Sequence, residues 1–315
     1  MSSEQALVSV VIPVFNRAHV IAQTLETVGL QTYRPIELII VDDCSADSEQ
    51  LRDRISEFER AYSDVLVRYQ RHSENRHGGA ARNTGIQMAA GEYIALLDSD
   101  DLWRADKLDV TLGFLNQHND CPGVYSAFSR MVAGGETREP ERGIAVNEPV
   151  ADYLLYANQS MQTSSLVLRT KVAKEVLFDP ELKRFQDFDF CIALDNHGYR
   201  LTYIDDAVVV MTNTDDGQRI SNSINLAPVY HWRNKIKPLV SARAYATFSI
   251  NRLVRYLLLN QEKGSAARLL FNVNNVRHCR KKPYAQMLLL WLTPTAFYGA
   301  IKGVIARLRS LKRRE

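Results

Sequence analysis

Three carboxylates crowd the end of an apolar run. In EYIALLDSDDLW (92–103), Tyr93 to Leu97 read as a buried strand, and Asp98, Asp100 and Asp101 follow at once. A second apolar run, IELIIVDD (36–43), ends in Asp42 and Asp43. Singly, an Asp ahead of a helix is an ordinary cap. Together, five carboxylates at strand ends repel one another unless a cation sits among them. Such oxygen-rich sites suit Mg2+ or Mn2+, which usually bring substrate phosphates with them. The pattern points to a metal that holds a diphosphate. HGGAARN (77–83) adds a Gly-rich turn opening a helix, where a backbone can approach an anion closely. Arg76 and Arg82 could meet phosphate oxygens there. The segment carries neither the Lys-Ser/Thr of a P-loop nor a GxGxxG pattern.

These residues need a frame that gathers them. LVSVVIPVF (7–15), IELIIVDD, VLVRYQ (65–70) and YIALLD (93–98) read as strands. Helical spacing separates them at 18–31, 48–62 and 78–91. The alternation predicts a doubly wound, mostly parallel sheet, whose strand ends gather on one edge. Beyond 104 the spacing predicts a helix at 105–118 and strands at 123–132 and 164–169, with a polar stretch at 133–149. A helix at 187–197 and strands near 200–213 follow, and from about 228 the chain reads as helical. We therefore expect a domain over 1–225 and a helical extension over 226–315.

Charge divides the same way. Residues 1–227 hold 21 Lys and Arg against 34 Asp and Glu, whereas 228–315 hold 18 against 2. A basic tail suits an anionic surface, lipid or nucleic acid. Its aromatics Trp291, Phe297 and Tyr298 lie in apolar runs rather than between basic residues, which argues against nucleic acid. Cys44, Cys121, Cys191 and Cys279 are widely spaced, with no CxxC, which fits a reducing cytosol. Glu4 and the lack of a basic start argue against a signal peptide. The longest uncharged stretch, 283–301, is too interrupted by Pro, Gln and Thr for a membrane span.

VSVVIPVFN, IELIIVDDCSADSE, GGAARNTGIQMAAGEYIALLDSDDLW and FDPELKRFQDFDFCIAL together resemble the inverting glycosyltransferases of family 2, over roughly residues 7–213. The resemblance implies a GT-A fold with a Rossmann-like nucleotide-binding half and an acceptor half. It implies that Pro13, Val14, Phe15, Asn16 and Asp43 cradle the nucleotide base, and that Gly79, Arg82 and Asn83 lie near the nucleotide. Asp98 and Ser99 fall on the donor, and Asp98, Asp100 and Asp101 on Mn2+ or Mg2+. Asp187 of FQDFDF falls on the general base, with Gln186 where many relatives have Glu. No QxxRW follows, as it would in processive members, so a single-sugar transfer is implied.

The expected reaction moves one sugar from a nucleotide donor, UDP-linked on this reading, to a saccharide or lipid-linked saccharide during cell-surface polysaccharide assembly. Polyprenyl phosphate as acceptor and a non-catalytic sugar-nucleotide sensor are the alternatives. A nucleotidyltransferase would want a Gly-rich signature after the first strand, which PVFNRAHV lacks. From Pro294, apolar residues recur at Phe297, Ile301, Val304, Ile305, Leu308 and Leu311, largely apart from Lys302, Arg309, Lys312 and Arg313. That pattern predicts a peripheral anchor on the cytoplasmic face of a membrane.

Overall fold

A computed structural model describes residues 5–132, 135–212 and 225–294. Two compact units emerge. The first is built on one mixed sheet. Its β-branched runs become β1 (Val8–Val14), β2 (Ile36–Asp42), β3 (Val65–Arg71) and β4 (Tyr93–Leu96). These four lie parallel in the order β3-β2-β1-β4. β1, β2 and β4 are apolar almost throughout because helices cover both faces. Between them run α1 (Ile21–Gly29), α2 (Ser48–Ala61) and α3 (His77–Met88).

The strand ends form the functional edge, and α3 reaches it because its sheet-facing side is small. A Cβ on Gly85 would fall 2.3 Å from Val11 Cγ1. At the opposite edge, the buried Glu37 of β2 accepts hydrogen bonds from Ser9 Oγ and the Ala90 N–H, which anchors the far end of α3.

The second half of the sheet is antiparallel in part. It comprises β5 (Asp101–Trp103), β6 (Gly123–Val132), β7 (Gly135–Glu139), β8 (Leu166–Arg169) and β9 (Thr202–Met211). The order continues β4-β8-β6-β9-β5, with β7 beside β6. α4 (Lys107–Gln117), α5 (Thr170–Glu175) and α6 (Gln186–Asn196) complete this unit. The sequence predicts no strand at DLW. It forms one because β9 offers an antiparallel edge, pairing Asp101 with Met211 and Trp103 with Val209.

The second unit is helical: α7 (Ala227–Ile236), α8 (Ala242–Phe248), a π-helical turn (Ser249–Val254), α9 (Arg255–Leu259), α10 (Lys263–Leu270), α11 (Val273–His278) and α12 (Lys281–Leu292). It also takes in residues 147–159, which a cut at 225 leaves out. The reason is local. Asp152, buried in a second π-helical turn, accepts hydrogen bonds from Ser241 and from Arg243 (2.8 Å), while Arg280 binds the Tyr156 and Ala157 carbonyls. No helix among the described residues is long and apolar enough to cross a membrane. The anchor expected from 294 onward falls almost wholly outside the described residues.

Lys107, at the start of α4, is fully buried, with its ammonium 4.1 Å from the Trp103 ring centre and no hydrogen-bond partner among the described residues. Removal from water pushes its pKa down from 10.5 to about 7. Between those values the unfolded chain holds a proton that the folded chain lacks. Stability contributed at this site therefore rises with pH across that window, by about 1.4 kcal/mol per unit. Lys107→Met should flatten this rise and stabilise the fold near pH 7. Urea midpoints of the two proteins from pH 7 to 10 test it, and parallel curves would exclude it.

Candidate functional site

The ends of β1 and β2 are tied to each other before any ligand arrives. Asn16 donates its backbone N–H to Ser45 Oγ (3.0 Å) and accepts from the Ala46 N–H through its side-chain oxygen (2.7 Å). The Ala18 N–H donates to Asp47 (2.9 Å). Phe15 stays 45% exposed beside this junction. Four residues around the strand ends adopt positive φ without being glycine: Asn16 (52°), Cys44 (64°), His77 (66°) and Phe185 (63°). Each adopts the left-handed region that non-glycine residues seldom enter.

The five carboxylates have separate roles. Asp42 is fully buried and accepts from the Ser45 N–H (2.8 Å) and Tyr69 Oη (2.8 Å), which makes it a structural tie. Asp43 is also buried; its Oδ1 accepts from His72 Nδ1 (2.7 Å) and the Arg76 N–H (2.9 Å). Its Oδ2 takes no hydrogen bond among the described residues. Asp98 pairs with Arg82 (2.5 Å), and Asp100 lies 3.9 Å from Arg17. Asp101 is 1% exposed and accepts from Ser164 Oγ (2.6 Å), which in turn accepts from the Asp98 N–H (3.0 Å).

Of the three carboxylates expected at a metal, Asp101 is the one turned inward in this structure. It is drawn into the sheet by β5, where its carboxylate fixes Ser164 and, through it, the Asp98 backbone. Among the described residues no three His, Cys, Asp or Glu side chains gather as a ready metal cage. The partly exposed Asp98 and Asp100 still fit a hard divalent cation, which commonly takes one or two carboxylates and completes its shell with substrate phosphates.

Arg82 is the hub. It projects from α3, donates to Asp98 at the end of β4 and to Gln186 Oε1 (3.1 Å) at the start of α6, and lies over the Phe178 ring (5.3 Å). The two glycines of HGG make this possible. A Cβ on Gly78 would lie 3.0 Å from Arg82 Nη1 and 3.1 Å from Gln186 Oε1, and one on Gly79 would lie 3.0 Å from the Asp179 carbonyl oxygen. Gly79 thus serves close packing of α6 on α3, where the sequence pattern suggests a phosphate cradle. Asn83 is likewise engaged elsewhere. Its amide donates to the Phe178 carbonyl (2.7 Å) and accepts from the Phe178 N–H (2.8 Å), holding that segment against α3. Val14 is core, and only its carbonyl reaches the site, accepting the Asp43 N–H (2.8 Å). The half-buried Pro13 stays within β1, and the buried Ser99 accepts from Thr24 through its carbonyl (3.0 Å).

Asp187 opens α6 and sits within electrostatic reach of Asp98 and Arg82. Removal from water pushes its carboxyl above the usual carboxylate range, and the Asp98 charge adds to this; the Phe188 N–H and the Arg82 guanidinium act in opposition. A half-buried carboxyl with a raised pKa beside the strand-end carboxylates is suited to take a proton. His72, Thr84, Ser164 and Phe178 escape a reading of the sequence, because their roles lie in contacts across the sheet that no local spacing records.

The profile of Glycosyl transferase family 2 matches residues 9–176. The amylovoran biosynthesis glycosyltransferase AmsB of Erwinia amylovora is 31% identical over 256 residues, which cover 79% of this chain and 84% of that protein. A putative colanic acid biosynthesis glycosyl transferase, WcaA of Escherichia coli, is 30% identical over 60% of this chain and 66% of its own. Among solved structures, S. aureus TarS 1-349 in complex with UDP-GlcNAc superposes with a TM-score of 0.65 at 18% identity, covering 90% of this chain and 86% of that one. The mannosyltransferase PcManGT of Pyrobaculum calidifontis, in complex with GDP-Man and Mn2+, gives 0.51 at 16% identity over 99% and 89% of the two chains. With its parallel nucleotide half, its Asp-Ser-Asp-Asp strand end and these relatives, the chain belongs to the family 2 glycosyltransferases.

Proposed function

We propose that this glycosyltransferase moves a single sugar from a nucleotide sugar, a UDP-sugar on our reading, to a saccharide or lipid-linked saccharide, with inversion, in cell-surface polysaccharide assembly. The observation that carries it is Asp187, whose carboxyl is pushed upward beside the Arg82–Asp98 pair. Asp187 takes the acceptor hydroxyl proton as that oxygen attacks the anomeric carbon. The bond from that carbon to the diphosphate breaks on the opposite face, and the nucleoside diphosphate leaves. Asp43 receives the base with Phe15 and Asn16, and Asp98 with Asp100 faces the diphosphate. A divalent cation held by Asp98 and Asp100 would supply Lewis-acid stabilisation of the leaving group. Arg82 and Arg17, each already beside one of these carboxylates, offset part of the negative charge at this edge. Relatives named for amylovoran and colanic acid biosynthesis support a role in polysaccharide assembly.

The same reading places the protein peripherally on the cytoplasmic face of a membrane. Between Lys263 and Arg314 the chain holds twelve Lys and Arg and no Asp or Glu. Each basic residue near an anionic leaflet contributes about 1 kcal/mol.

Asp187→Asn should lower turnover by about 10²–10⁴-fold while leaving donor affinity nearly intact. A carboxyl with a raised pKa must lose its proton to act as a base, so activity in the parent should fall as pH drops through a range above that of ordinary carboxylates. The variant should lack that acid limb. Because ionising a carboxyl whose pKa the fold raises costs stability above that pKa, the variant should also be at least as heat-stable as the parent at pH 8. Loss of donor binding in this variant would assign Asp187 a structural role. For the metal, Asp100→Ala should weaken UDP binding and remove its dependence on Mn2+; unchanged, Mn2+-dependent binding and turnover would exclude it. For the membrane, α12 packs on its own unit, with Tyr284 donating to the Leu270 carbonyl and Trp291 to the Lys263 carbonyl. The clean cut therefore follows residue 294. Removal of 295–315 should weaken sedimentation with phosphatidylserine vesicles and leave donor turnover intact; undiminished sedimentation would remove the anchor role.

A further inference from the structure

We propose that His72 is a positioning residue that fixes Asp43 for recognition of the donor's base, and so sets which base is accepted. The inference rests on the reading of Asp43 as the base-binding carboxylate. His72 lies at the end of β3 and is 8% exposed. Its backbone N–H donates to the Asp42 carbonyl (2.8 Å), and its ring bridges two elements. Nδ1 faces Asp43 Oδ1 at 2.7 Å, and Nε2 faces Thr84 Oγ1 of α3 at 2.9 Å. A carboxylate can only accept, so Nδ1 carries the hydrogen and donates it. The Thr84 hydroxyl can donate or accept, and it also lies 3.2 Å from the Ala80 carbonyl, so it holds the ring in plane whichever way Nε2 is protonated.

Asp43 is thereby clamped from three sides. Its N–H donates to the Val14 carbonyl (2.8 Å), and its Oδ1 accepts from both His72 and the Arg76 N–H (2.9 Å). Among the described residues Oδ2 takes no partner, and the two bonds to Oδ1 set the direction in which it points. A fixed acceptor selects a base that presents an N–H at one place on its edge, as uracil does at N3. Cytosine carries a lone pair at N3, and its nearest donor is the exocyclic amine one ring position away. A carboxylate free to pivot could follow that amine; one held by His72 cannot. The nucleobase preference of the site is then a property of the residue behind Asp43 as well as of Asp43 itself.

The test is calorimetric titration of the full chain with UDP and CDP in Mn2+. A hydrogen bond to a charged group is worth about 10- to 100-fold in affinity, so His72→Ala should weaken UDP binding by about that factor and narrow the UDP-to-CDP preference by about tenfold. His72→Asn, whose side-chain amide can place a donor near the position of Nδ1, should restore most of the preference. Thermal unfolding of both variants guards against a folding defect, since a packing role would lower the melting temperature alike in both and leave the preference unchanged. An unaltered UDP-to-CDP ratio in His72→Ala overturns the inference, as does failure of Asn to restore it. Asp43→Ala separates the two readings. If UDP affinity survives that change, the base-binding role of Asp43 fails and this inference with it; if it collapses while His72→Ala keeps its ratio, the inference alone fails.

Discussion

One guanidinium holds the reactive edge together. Asp98 ends a strand and Asp187 opens a helix; removal from water raises the pKa of Asp187, and the Asp98 charge adds to it. Arg82 makes this arrangement tolerable. It sits between them in charge, if not in line, donating to Asp98 and to Gln186. Gly78 and Gly79 leave room for it, and Phe178 gives its plane a surface to lie on. Without the guanidinium, the repulsion between these two carboxylates would go unopposed, and one would be driven further toward its protonated form. The positive charge comes from a third segment of the chain, and it offsets part of the repulsion between them.

Burial sorts the carboxylates. Asp42 and Asp101 are the most deeply enclosed, and each has hydroxyl or N–H donors around it, so they serve as ties between loops. Asp98 and Asp100 keep some exposure and meet arginines instead. Asp43 lies between these cases, buried but with one oxygen open. Identical side chains at neighbouring positions therefore divide into scaffold and site according to their donors and their access to water.

Much of this frame is legible in the sequence because it rests on periodicity. β1 to β4 and their helices follow from apolar runs and amphipathic spacing, and the strand-end carboxylates follow from the rule that open sheets bind ligands there. What the sequence does not disclose rests on contacts between distant segments. Asp101 enters a strand only because β9 offers it an edge. Asn83 finds the Phe178 backbone, and Gly79 makes way for the segment before α6; both look from the sequence like parts of a phosphate loop. His72 is an ordinary residue after a strand until Asp43 and Thr84 are brought to its two nitrogens. Residues 147–159 join the helical unit through a buried Asp152 that no composition shift marks.

The left-handed backbone at Asn16, Cys44, His77 and Phe185 also bears on how a ligand is met. Each such residue costs of order 1 kcal/mol or more, and the surrounding hydrogen bonds must hold it there. That cost is met once, during folding, by a rigid scaffold. A ligand arriving at these loops then finds their turns already formed and loses little of its binding free energy to ordering them. Association at this edge should accordingly show a small entropic penalty from the protein, and the donor's own flexible diphosphate should be the main thing that still has to be stilled.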